Sequence, residues 1–224
     1  MSAANIIVAA DGAHIVSDFL VWSTADQTIT AICNKAILLP QLNAAATIRA
    51  EQFVVFQAVG LALSTMPANS FDEFKTTIGQ TLEELNDRLA LMGAASPFEV
   101  SVAGISEQHG PSGFRITTLQ AGGEHLRPWQ VVDVPRGFNP CPCNSEADEE
   151  EIRVALTNAP ASLEGHAIAA LQKQREIARR DFAAGKQPCW VGGYGQLTTI
   201  SATGISTRII HRWPGDVVGT RLAA

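Results

Sequence analysis

The sequence predicts an α+β fold: two antiparallel sheets stacked on each other, each covered on its outer face by a pair of helices. Three observations predict it. Strand-like and helix-like stretches come in blocks rather than in alternation, which excludes a βαβ repeat. The stretch Ile6-Ile7-Val8-Ala9 is apolar without interruption, as a strand buried on both faces must be. The helical stretches carry apolar residues at three- and four-residue steps.

Residues 5–10 read as a strand and Asp11-Gly12 as the turn of a hairpin, because both residues tolerate positive φ. Residues 13–21 form the return strand. Residues 28–33 and 36–39 read as a second hairpin about Asn34-Lys35, and 40–47 as a further short strand. From 48 to 66 the pattern turns helical, with Phe53, Phe56, Val59, Gly60 and Leu63 on one side. Ser70, with Glu73 at the capping-box position, starts a helix that runs to about Met92. Phe74, Ile78, Leu82, Leu85 and Leu89 make its apolar stripe, and Gly93 ends it. Residues 98–105 and 113–119 are strands, 121–123 a turn, and 127–144, with four prolines, an irregular excursion. Helices follow at 146–157 and 162–184, the second starting at Ser162 and stopping at Gly185. Strands at 189–201 and 204–212 complete the pattern. One domain over 1–224 is expected, with an irregular loop at about 127–145.

A chain of 224 residues is long enough to bury a proper core. Its net charge is −6 and no basic cluster exceeds Arg179-Arg180, which argues against nucleic-acid binding. No run of about 18 apolar residues suggests a membrane span, and the N-terminal residues lack the features of a signal peptide. A cytoplasmic location is therefore expected, with the four cysteines as thiols. The content, 46% hydrophobic and only 17% charged, points to surface buried in a homo-oligomer, a ring or a smaller assembly.

Several strings, taken in order, resemble the β-type subunits of the proteasome, in the superfamily of N-terminal-nucleophile (Ntn) hydrolases. Gly12-Ala13-His14-Ile15-Val16-Ser17-Asp18 is similar to that family's glycine-hydrophobic-Ala-Asp hairpin, and Asn34-Lys35-Ala36-Ile37 to its Lys-Ile segment. Residues 98–105 with Phe114-Arg115-Ile116 resemble its middle strand pair. Arg180-Asp181, Gly185 and Val191-Gly192-Gly193 resemble the end of its last helix and the next strand. The resemblance spans roughly residues 2–210. It implies a four-layer αββα sandwich and hydrolysis of a peptide or amide bond by an N-terminal hydroxyl.

On this resemblance Ser2, freed by removal of Met1, is the nucleophile, with its own α-amine as base. Asp18 orients Lys35, Lys35 supplies a positive field, and Asp181 supports the N-terminus. The alternative is that Asp18 and Lys35 form only an inherited buried ion pair. The chain also departs from the family pattern. Ser2 stands for the usual Thr. The stretch 46–50 lacks the oxyanion-hole glycine, with the bulky β-branched Ile48 near that position. Two supporting serines fall at Gly123 and Ala184. Weak hydrolysis is expected, and a non-catalytic assembly or binding protein on the same fold is the rival reading.

Cys141-Pro142-Cys143 is a close thiol pair that, with Cys189 or His166, could ligate a metal, but the spacing of a four-ligand zinc site is missing. A Cys- or metal-dependent enzyme is the third reading. Cys33 beside Lys35 and His14 in its hairpin read as core residues, and Gly192-Gly193-Tyr194-Gly195 as close strand packing. No cofactor is expected.

Overall fold

Apolar residues at every second position set the central strands, and the register follows from them. The structure, a computed structural model, describes residues 3–118, 127–142, 145–186 and 188–222. One five-stranded sheet is ordered β10-β1-β2-β11-β12, from Gly137–Asn139, Ala4–Val8, Ala13–Asp18, Tyr194–Ser201 and Gly204–Arg212. The other is ordered β5-β6-β7-β8-β9, from Ala36–Leu39, Ala44–Ala50, Phe98–Ser106, Gly110–Thr117 and Val132–Asp133. A small third sheet pairs β3 (Leu20–Trp22) with β4 (Ile29–Ile32). The pairings between named strands are antiparallel.

Four α-helices lie among the described residues: α1 (Phe53–Thr65), α2 (Phe71–Leu91), α3 (Glu146–Thr157) and α4 (Leu163–Ala183). Serine caps start three of them. Ser70 accepts from the N–H of Glu73, Ser145 from that of Asp148, and Ser162 from that of Gly165. The α1–α2 pair packs its Val59, Leu63, Phe74, Ile78 and Leu82 on Ala46, Ile48, Val100 and Phe114 of the second sheet. Ala167 and Leu171 of α4 pack on Val16 and Leu197 of the first. A separate cluster joins Ile6, Ala13, Ile15 and Ile200 of the first sheet to Ala45 and Ala103 of the second.

Four sequence-based expectations need correction. The stretch 28–39 is not a hairpin: β4 pairs with β3, and β5 pairs with β6. The break falls at Cys33, whose N–H donates to the Phe19 carbonyl, and at Lys35, which is drawn inward. The strand expected over 40–47 and the helix from 48 give way to a 3-10 turn, Pro40–Leu42, and a strand that continues to Ala50. Ala44, Ala46 and Ile48 alternate toward one core, so a period of two wins over the helical pattern. The return strand over 13–21 breaks at Phe19, because the Asp18 carboxylate takes the Leu20 N–H. Finally, the irregular excursion contains β9 and β10, and β10 borders β1.

Candidate active site

Asp18 ends β2, and its carboxylate collects donors from separate parts of the chain. Oδ1 accepts from the N–H of Ala3 at 2.9 Å. Oδ2 accepts from Leu20 N at 3.0 Å, Lys35 Nζ at 3.1 Å and Gly192 N at 3.3 Å. Three backbone donors and an ammonium satisfy the oxygens of this fully buried carboxylate. Lys35, in the turn between β4 and β5, also donates to the Leu20 carbonyl. Burial pulls the Lys35 ammonium below its ordinary range, and the Asp18 charge opposes that pull.

Lys35 lies in the wall of a cleft of about 320 Å³. Its lining is mixed: Leu20, Trp22, Ile48, Phe53 and Phe56 are apolar, and Thr24, Lys35, Glu51 and Gln52 are polar. The cleft opens where β6 passes into α1, so the same apolar helix that covers the second sheet also supplies the cleft's aromatic residues. Ile48, in the stretch that lacks a glycine, is among the residues that line the cleft.

A second ion pair steadies the loop that carries Gly192. Arg175 of α4 grips Asp216 with both nitrogens, at 2.7 and 2.6 Å, and donates to the Val191 carbonyl at 2.8 Å. Gly193, at φ +69°, donates to Asp216 at 2.6 Å. A Cβ on Gly192 would lie 2.3 Å from both Arg175 Nη1 and Asp216 Oδ2, so only glycine lets this clamp close on the loop. The fold is similar to that of Anbu. Anbu (ancestral beta-subunit) from Yersinia bercovieri aligns with a TM-score of 0.63 at 13% identity, over 94% of this chain and 87% of that one. The Gly-1 mutant of Anbu from Hyphomicrobium sp. strain MC1 gives 0.63 at 12% identity, over 94% and 88%. Anbu from the same organism gives 0.61 at 13%, over 93% and 87%. No protein-family model and no curated protein matches the chain.

These neighbours correct the family drawn from the sequence. They are Anbu proteins, proteasome-like but distinct from the proteasome β-type subunits, and the link to Ntn hydrolases is only a loose one. At such identities the likeness is one of fold.

Of the site residues expected from sequence, the structure brings Asp18 and Lys35 together. Asp181 is buried near the end of α4, where Lys186 Nζ donates to it at 3.3 Å. Ser2, Gly123 and Cys143 lie outside the described residues. Among the described residues no group of three or more His, Cys, Asp or Glu side chains is arranged to hold a metal ion, and no helix is long and apolar enough to cross a membrane. Sequence reasoning missed the Gly192 N–H, the Arg175–Asp216 clamp and the aromatic cleft. A charge-free α1 was the available signal for the cleft, since a helix apolar all round must cover something on more than one side.

Proposed function

We propose that this chain is an amide-bond hydrolase of low turnover in which Ser2, after loss of Met1, is the nucleophile and its own α-amine the base. One observation carries the reading: the peptide nitrogen that joins Ser2 to Ala3 is held 2.9 Å from Asp18, whose other oxygen holds Lys35 at the wall of a cleft with mixed polar and apolar lining. A serine hydroxyl needs a base, and an α-amine with an ordinary pKa near 8 can serve when a cation nearby favours its neutral form. Lys35 is the cation, and Asp18 keeps it in place. Asp181 acts as a positioning residue: its neighbours Ala178 and Phe182 pack with Leu20 and Trp190 beside the Asp18 hub. Low turnover follows from the cleft. Losing one oxyanion donor costs about 10²–10³ in rate, and Ile48 lines the cleft in the stretch that lacks a glycine.

The layers invoked are α1–α2, the two sheets and α3–α4, in one domain. A second reading, a non-catalytic homo-oligomer, draws on α1. Phe53, Val54 and Leu61 are 55%, 48% and 67% exposed on a helix without a single charge, which suits burial against a second copy.

The test begins with intact mass, to verify a Ser2 N-terminus. That protein is then offered a covalent probe for N-terminal nucleophiles and a panel of fluorogenic peptides. The expected result is stoichiometric labelling of Ser2 and slow turnover, both lost in Ser2→Ala. Absence of labelling on a verified Ser2 N-terminus removes the hydrolase reading and leaves the oligomer, which light scattering would report as a particle above 23.8 kDa.

A further inference from the structure

Behind the cleft, between the two sheets, one guanidinium holds two thiols. Arg49 of β6 donates through Nη1 to Cys141 Sγ at 2.9 Å and through Nη2 to Cys189 Sγ at 3.4 Å. Cys141 in turn donates its thiol proton to Glu99 Oε1 at 2.9 Å, and Glu99 Oε2 pairs with Arg49 at 3.4 Å. The two sulfurs, 48 positions apart in sequence, thus meet across a single planar group with a carboxylate on one of them. A cavity of about 10 Å³, roughly one water molecule, touches Cys189 beside Gln174 and Asp148.

We propose that Cys141 and Cys189 are a peroxide-oxidised pair that closes to a disulfide, with Glu99 as the base for the second step and Arg49 as the group that gathers both sulfurs. The water-sized cavity brings a small opening to Cys189, and hydrogen peroxide is the probe. Cys189 loses its proton and its sulfur attacks one peroxide oxygen. An S–O bond forms, the O–O bond breaks, and the leaving hydroxide takes the Cys189 proton to become water. The sulfur is now a sulfenic acid, oxidised by two electrons, and the peroxide is reduced. The Cys141 thiol then passes its proton to Glu99 Oε1, and its sulfur attacks that of Cys189. The S–S bond forms as the S–O bond breaks, and the departing hydroxide takes the proton from Glu99 as a second water. Two thiols and one peroxide give one disulfide and two waters.

The order of the steps follows from the surroundings. Burial, ahead of the opposing Arg49 charge, pushes the Cys141 thiol up to about 12, so it enters as a protonated thiol with a base already in contact. Cys189 has the cavity and no carboxylate bonded to it among the described residues. The consequence lies at the candidate site. The Cys141 carbonyl holds the N–H of Ala4, and Cys189 precedes Gly192, which holds Asp18. A disulfide would tie together the two segments that flank the β1–β2 hairpin, one after β10 and one before β11.

The experiment treats the full chain with millimolar hydrogen peroxide and maps disulfides by mass spectrometry without reduction. The expected result is a loss of 2 Da, reversed by dithiothreitol. The linked peptides should contain Cys141 and Cys189, and the link should persist in Cys143→Ser and vanish in Cys141→Ser. Glu99→Gln should slow closure about 10²-fold and let a dimedone adduct build up on Cys189. A link through Cys143 or Cys33 overturns the pairing. So does irreversible oxidation without any link, or no change in mass. An adduct on Cys141 instead of Cys189 overturns the order of the steps.

Discussion

The space between the two sheets has two ends, built by the same strands and unlike in chemistry. At one end Ala13 and Ile15 of β2, Ala45 of β6 and Ala103 of β7 pack with Ile6 and Ile200 into a fully apolar cluster. Two residues along each strand, on the same faces, stand Ser17, Thr47 and Ser101, with Gln196 beside Ser17 in the register. The next step on β6 and β7 reaches Arg49 and Glu99, which face each other across the pair. The apolar end holds the sheets together. The polar end is dear in stability: Ser17 Oγ, Thr47 Oγ1, Ser101 Oγ and Gln196 Oε1 are buried and have no hydrogen-bond partner among the described residues. A fold that needed only to pack would continue the apolar pattern. The difference teaches that the polar end is kept for what lies beside it, the Asp18 hub and the cleft.

The largest effects should separate the two ends by what they change. Asp18→Ala leaves Lys35 buried without its carboxylate and should cost about 3–5 kcal/mol, together with all labelling of Ser2. Ile15→Ala opens a cavity at the apolar end and should cost a similar 2–5 kcal/mol or so, yet leave Ser2 labelling in the folded protein intact. Urea unfolding and probe labelling on both variants decide this. Loss of labelling in folded Ile15→Ala would mean that the ends are not separable.

A middle-sized effect of opposite sign is expected from Thr47→Val. The change removes a buried orphan hydroxyl at nearly constant volume, so stability should rise by about 1 kcal/mol. A fall of about 1 kcal/mol in the unfolding free energy from urea titration would show that the hydroxyl is bonded after all, and that the polar end is less costly than its geometry implies.

The smallest effect lies on the far side of β2. His14, hydrogen-bonded to Thr199 at 3.1 Å, is held below its ordinary value by burial, against the opposing charge of Asp11. His211 is lowered by burial and by Arg175. In both cases the unfolded chain takes up a proton that the folded one refuses. Stability is therefore full above about pH 6.5 and falls as the pH drops below it, by no more than about 1.4 kcal/mol per pH unit for each proton. His14→Gln should flatten the slope of unfolding free energy between pH 7 and 5. An unchanged slope would assign it elsewhere.

The parts of this arrangement that were legible in the sequence are those set by local rules. The caps at Ser70 and Ser162 and the stripe Phe74, Ile78, Leu82 and Leu89 gave α2 and α4 nearly to the residue. The Asp18–Lys35 pair was legible only through a resemblance, because nothing local links a strand end to a turn 17 residues on. The extent of β6 was hidden because Ile48 stands eight residues before Phe56, a spacing that a helical stripe also allows, and only pairing with Val100 and Phe98 decides between them. β10 was hidden among prolines, being three residues long and stabilised by its neighbour β1 alone. The resemblance itself pointed to a mixed α+β, proteasome-like fold and to the wrong family, since the neighbours in structure are Anbu proteins.

The Asp18 hub also has a consequence for the order in which the molecule comes into being. Its donors come from Ala3, Leu20, Lys35 and Gly192, so the carboxylate waits for a partner 174 positions away. During synthesis the first three are available early, and a chain halted at residue 186 could build both helix pairs and most of the strands. It would still lack the Gly192 N–H, the Asp216 clamp and the strand that pairs with β2. Completion of the Asp18 hub is thereby tied to the arrival of residues 192–216. On the reading proposed above, the newborn chain would carry Ser2 first and complete the setting for it last, so an unfinished protein would stay inactive.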